Sequence, residues 1–222
     1  MIFAFGMSLG CNTSEFDLKD MSKPNLLVFD GREYILARAE IVGVLPDPYW
    51  CDTYNNGQGK SFSWSISFET IPEEIDDYNI SPQVDFDNPG IVNVLDWQDL
   101  VGTSVAWSEP IDSQTNRRYG MTYVYDHQLI VEGDLKIIGR QGKLFRVRAS
   151  GRNEEGQDFE IDATVTFVGI HVHGSGHDDN KSFKQRLSQY LSLANLTSGP
   201  CESDHLYESG VEMRSALFTP VE

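Results

Sequence analysis

Ser61-Phe-Ser-Trp-Ser-Ile-Ser-Phe68 is the stretch on which the fold turns. Phe62, Trp64, Ile66 and Phe68 occupy every second position and serines fill the gaps, so an extended chain puts large apolar groups on one face and hydroxyls on the other. A helix would scatter the same residues around its circumference. A strand with one face in a core and one toward water sorts them. Comparable runs bounded by Gly, Pro, Asn and Asp predict strands over Leu26 to Phe29, Tyr34 to Val44, Thr103 to Trp107, Gly120 to Tyr125, Leu129 to Ile138, Lys143 to Ser150 and Phe159 to Ile170. Gln141-Gly142 supplies a tight turn and Asn153-Glu-Glu-Gly-Gln157 a longer one, which makes the last three strands an antiparallel meander. Strands at this spacing without helical crossovers predict an all-β fold, a mainly antiparallel sandwich or open barrel.

The 222 residues fit one β-rich domain over 1–222, with an N-terminal segment at 1–23 and a polar tail at 201–222. One amphipathic helix is predicted over 179–196, packed on the sheet. Asp178 or Asp179 caps it, Phe183, Leu187, Tyr190, Leu191 and Ala194 form its apolar face, and Thr197-Ser-Gly-Pro200 stops it. Residues 69–99 read as an irregular acidic excursion, because Pro72, Pro82, Pro89 and Gly90 interrupt any pattern there.

Charge is the loudest chemical signal. Asp and Glu number 34 against 17 Lys and Arg, and between Lys60 and Arg117 there are eleven acids and no Lys or Arg. Such a surface repels nucleic-acid phosphates and anionic lipid, and it steers basic groups toward itself. Glu73, Glu74, Asp76, Asp77, Asp85, Asp87, Asp96 and Asp99 are accordingly the expected contacts for a basic protein partner. Asp85-Phe-Asp-Asn-Pro-Gly-Ile-Val-Asn-Val-Leu-Asp96 partly resembles an EF-hand calcium loop, but Pro89 stands at its fifth position, Asp96 replaces the bidentate Glu, and the flanks are not helical. Calcium is therefore the weaker of the metal readings.

Gly169-Ile-His171-Val-His173-Gly-Ser-Gly-His177 gathers three of the five histidines. His171 and His173 share a strand face, and His177 would return after the small turn. The three would then suit zinc or another divalent transition metal, in a metal-dependent enzyme or metal-binding β domain. Ser175 lies in Gly-Ser-Gly but not in a nucleophile elbow, and Cys51 sits among aromatic and acidic neighbours that hold a thiol protonated. Cys11, Cys51 and Cys201 are too widely spaced to suggest a thiol motif. Trp50, Tyr54, Trp64, Trp97 and Trp107 give a third reading, a carbohydrate-binding module, if their rings are exposed in a row.

Against the acidic background, Lys136 to Arg152 carries six basic side chains and no acid. Arg146 and Arg148 alternate with Phe145, Val147 and Ala149, and Glu160 and Asp162 are their expected cross-strand partners. The apolar start that ends at Gly10-Cys11 partly resembles a lipoprotein signal, giving export or lipid anchoring through Cys11 as the alternative to a cytoplasmic location; it is too short to span a bilayer. Taken together, the residues predict a non-catalytic acidic binding protein without a cofactor. An immunity or antitoxin-like protein that masks a basic toxin is one form, with no nucleic-acid or membrane partner and with edge-strand pairing as a route to a homodimer.

Overall fold

The computed structural model describes residue 21 and residues 23–75, 77–113 and 117–221. In chain order the elements are β1 (Leu26–Phe29), β2 (Arg32–Leu45), α1 (Pro48–Tyr54), β3 (Ser63–Thr70), β4 (Glu73–Ile75), β5 (Tyr78–Ile80), β6 (Gln83–Phe86), β7 (Ser104–Trp107), β8 (Ile111–Asp112), β9 (Arg117–Arg118), β10 (Met121–Tyr123), β11 (His127–Gln141), β12 (Leu144–Asn153), β13 (Asp158–Ser175), α2 (Asn180–Leu187), β14 (Leu196–Ser198), β15 (Glu202–Leu206) and β16 (Glu212–Pro220). A 3-10 turn covers Trp97–Leu100.

Eight strands, in the order β1-β2-β3-β6-β10-β11-β12-β13, pair antiparallel around a ring, and β13 returns to β1. The expectation of a sandwich or open barrel is thus corrected to a closed barrel, a way of leaving the ring without an edge. β1 is only four residues long. It separates β2 from β13 only over four residues, and beyond it Thr166 to Val172 of β13 pair directly and in parallel with Glu40 to Leu45 of β2. Long-range pairing of this kind leaves no local mark in sequence.

The alternation read in Ser61 to Phe68 is borne out from Trp64 onward: Trp64, Ile66 and Phe68 are buried in the barrel with Leu27, Ile41, Phe86, Leu135, Phe145, Val147, Phe159, Ile161, Val165 and Phe167, whereas Ser63, expected to face water, is buried and Phe62 packs on the core only in part. Truncating any of these Phe rings to Ala would remove roughly 3–5 kcal/mol. Charged side chains such as Arg38, Glu40, Glu69, Arg148 and Glu160 occupy the intervening, outward positions. This is the reverse of the apolar-out, polar-in pattern of a membrane-spanning barrel. Among the described residues no helix is long and apolar enough to cross a membrane.

Two glycines make the packing possible. A Cβ on Gly133 would lie 2.5 Å from the Trp107 ring, so only glycine lets that indole lie flat on β11. Gly169, at φ +146°, forms a bulge where β13 leaves the barrel. Buried positions switch there from 159, 161, 163, 165 and 167 to 170 and 172.

Beyond the bulge, β13 pairs with β16, which in turn carries β14 and β15. The segment 201–222, expected as a polar tail, therefore contains two strands. The helix is shorter than 179–196: α2 ends at Leu187. Asp179 caps it as foreseen, in a reciprocal capping box with Ser182, and Phe183 and Leu187 are buried. The Ser192 N–H is then taken by the Leu95 carbonyl, a tertiary bond in place of a helical one. The excursion at 69–99 holds the β4–β5 hairpin and β6, one of the eight barrel strands. Cys11 and the rest of the apolar N-terminus lie outside the described residues.

Candidate functional site

In an antiparallel ring, alternate connections fall at the same end. Four meet at one end of this barrel: Asp30-Gly31 between β1 and β2, residues 71–82 with the β4–β5 hairpin, 124–126 between β10 and β11, and 154–157 between β12 and β13. Each is acidic, through Asp30, Glu73, Glu74, Asp77, Asp126, Glu154 and Glu155, and none contains Lys or Arg. All of these side chains are exposed except Glu73, which is half-buried in an ion pair with Arg32 at 2.8 Å. The turn geometry explains the composition in part. Asp126 accepts from the His127 N–H and Glu154 from the Leu129 N–H, while Asp30 and Asp77 adopt positive φ.

Two aromatic rings project from the same end. Tyr78 of β5 is 67 % exposed and Tyr125 is 53 % exposed, and their rings meet edge to face at 6.5 Å. The acidity continues down the wall into a groove of about 430 Å³ lined by Trp107, Glu132, Asp134, Asp158 and Glu160. Arg152 offsets part of it by pairing with Asp158 at 2.7 Å and Glu132 at 3.5 Å.

The eight acids expected from sequence to act together are divided by the fold. Glu73, Glu74 and Asp77 lie at the acidic end, and Asp76 lies outside the described residues. Asp85 and Asp87 stand on and just after β6, against the outer wall, where Asp87 pairs with Arg118. Burial, with Asp87 nearby, pushes the Asp85 carboxyl up to about 6. Asp96 and Asp99 are at the opposite end. Asp96 caps the 3-10 turn through the Gln98 N–H and accepts from the Asn195 amide at 2.9 Å, which is a structural task. The added members of the acidic end, Asp30, Asp126, Glu154 and Glu155, come from turns far apart in the chain.

His171 and His173 do share a face of β13, with rings nearly parallel and 6.1 Å apart. Burial lowers the His171 pKa. His177 is exposed in the turn before α2, and among the described residues no three His, Cys, Asp or Glu side chains are grouped to hold a metal ion. Trp64, Trp97 and Trp107 are buried in the core, so of the aromatic set read for sugar stacking only Trp50 and Tyr54, both on α1, are exposed. Cys51 is fully buried and its thiol is pushed up first by burial and then by Asp47, as its neighbours predicted. The basic strand finds its acid: Asp162 lies between Arg146 and Arg148. Compared with protein-family models, with curated proteins and with solved structures, the chain matches none.

Proposed function

We propose that this protein is a non-catalytic binding protein whose acidic barrel end docks a basic protein partner. One observation carries the reading: four separate connections bring seven carboxylates and two exposed tyrosines to the same end, with no Lys or Arg among those connections. Carboxylates spread over several rigid turns attract and orient a cationic surface, and tyrosine faces accept Lys and Arg by cation–π contact as the water between them is displaced. A partner built to bind polyanions would be blocked by such an end, which makes an immunity or antitoxin-like role the concrete form of the proposal.

The test is charge reversal at the two ends of the barrel. A Glu74→Lys/Asp126→Lys/Glu155→Lys variant and a charge-matched Asp52→Lys/Asp99→Lys/Glu202→Lys variant, built from exposed acids away from that end, are titrated by calorimetry with deca-arginine, a minimal basic probe, at low salt. The reading requires the Glu74/Asp126/Glu155 variant to bind at least about tenfold more weakly than wild type while the charge-matched Asp52/Asp99/Glu202 variant stays within about twofold. Equal weakening by both would show that net charge alone governs binding, and the proposal would be wrong.

A further inference from the structure

At the other end of the barrel, α1 and the turn between β15 and β16 enclose a depression of about 430 Å³ lined by Trp50, Tyr54, Leu206, Tyr207, Glu208 and Met213. Its walls are held from behind. Asp47, only 4 % exposed, accepts from the Tyr49 N–H at 2.9 Å, from the Ser175 hydroxyl at 3.3 Å and from the Tyr207 hydroxyl at 2.8 Å. Tyr49 donates to the Ser209 hydroxyl at 2.7 Å, so two bonds tie the turn to the helix across some 160 residues of chain. Trp50 and Tyr54, four apart on α1, are each 42 % exposed and face the depression together. The Tyr54 ring stacks beside the Tyr207 ring at 5.8 Å.

The chemistry of this lining is one-sided. Three aromatic rings and two apolar side chains surround a single charged group, the exposed Glu208 carboxylate, and no Lys or Arg contributes. Tyr207 points its hydroxyl away into Asp47 and is only 9 % exposed, its ring covered by those of Tyr49 at 5.4 Å and Tyr54 at 5.8 Å, so it forms the floor of the depression while Trp50 and Tyr54 supply the exposed rings. Aromatic walls with a carboxylate at the rim repel anions and offer few donors to a sugar. They attract a bulky, weakly hydrated cation, whose charge is stabilised by the ring quadrupoles and whose methyl groups fill the apolar space.

The geometry points to a binding site for a methylated ammonium group, formed by Trp50, Tyr54 and Tyr207 with Glu208 as counter-charge. It is independent of the acidic end described above and does not rest on the docking role proposed there.

The test is an NMR titration of the full chain followed at the Trp50 indole N–H. The other three tryptophans are buried, and Trp50→Phe identifies the resonance. Choline and Nε-trimethyl-lysine are titrated separately, distinguishing a free small molecule from a modified protein side chain as the source, with 3,3-dimethylbutan-1-ol as the neutral isostere. The site predicts a saturable indole shift with at least one of the two cations and at least about tenfold weaker binding of the alcohol. Glu208→Gln should weaken the cation about threefold or more, and Tyr54→Ala about tenfold, with circular dichroism unchanged. The inference is overturned if neither cation shifts the Trp50 indole saturably, or if the alcohol binds as well as choline, which would make the depression a plain apolar pocket.

Discussion

The Nε of Arg146 lies 2.7 Å from an Asp162 carboxylate oxygen, joining a fully buried cation on β12 to a partly exposed acid on β13. The contact is electrostatic, for the N–H does not point along it; the directed bond from Arg146 goes to the Thr164 hydroxyl at 3.3 Å. Arg148 reaches the other Asp162 oxygen at 3.3 Å but is half in solvent. The chain entering β1 passes over this row, where the Thr164 hydroxyl donates to the Met21 carbonyl and Asn25 exchanges bonds with the Thr164 backbone.

Removing the acid strands a buried charge, whereas removing the exposed arginine does not. Asp162→Ala is expected to destabilise by about 3–5 kcal/mol, Arg148→Ala by less than about 1 kcal/mol, and Arg146→Met by little because it removes the charge together with its need for a partner. Urea denaturation of the three variants checks this. Equal losses for Asp162→Ala and Arg148→Ala would show that the buried guanidinium does not depend on Asp162.

Asp85 predicts a pH dependence with a definite sign. Its register neighbours on the outer wall are Ser67 and Met121, Asp87 and Glu69 oppose its ionisation, and Arg38 and His127 favour it too weakly to offset burial. The folded protein keeps this proton up to about pH 6, whereas the unfolded chain loses it near 3.8. Between those values the folded state holds more protons, so stability falls as pH rises, by up to about 3 kcal/mol once pH 7 is passed. Asp85→Asn should therefore stabilise the protein by about 1–3 kcal/mol at pH 7.5 and by clearly less at pH 4.5. An equal effect at the two pH values would remove the buried carboxyl from the account.

Asp47 should be the costliest small substitution near α1. It caps the helix and receives the Tyr207 and Ser175 hydroxyls, and burial and then the hydrogen bond to Asp47 keep the Tyr207 phenol protonated as the donor. Asp47→Ala is expected to cost about 2–4 kcal/mol and Tyr207→Phe about 1–2 kcal/mol, since the latter leaves the cap intact. Thermal unfolding of the pair gives the order directly; a Tyr207→Phe loss as large as that of Asp47→Ala would show the cap to be of little weight.

What the sequence revealed depended on the range of each interaction. Ser61 to Phe68, Leu26 to Phe29 and the β11–β12–β13 meander were legible because period-two alternation and turn chemistry are local. β6 escaped, although Val84 and Phe86 alternate with Asp85 in the required way, because Pro82 and Pro89 frame only four strand residues and made the whole stretch read as loop. α2 is shorter than its sequence suggests because Tyr190, Leu191 and Ala194 continue the helical spacing, while the backbone has already tightened to the Gln189–Arg186 and Tyr190–Leu187 bonds of a closing turn and the Ser192 N–H goes to the distant Leu95 carbonyl. The acidic surface was legible in kind but not in membership. Sequence proximity grouped Asp96 and Asp99 with Glu73 and Glu74, whereas the ring topology sends the former pair to the opposite end and recruits Asp30, Asp126, Glu154 and Glu155 instead.

The most direct test of the docking account is to map where a basic probe lands. Deca-arginine added to isotope-labelled protein should shift the backbone amides of Asp30–Gly31, Glu73–Tyr78, Tyr125–Asp126 and Glu154–Gly156. The shifts should largely vanish at about 0.5 M salt, where screening acts within a few ångströms. Shifts centred on Asp96–Asp99, or spread evenly over the acidic residues of the whole barrel, would contradict it.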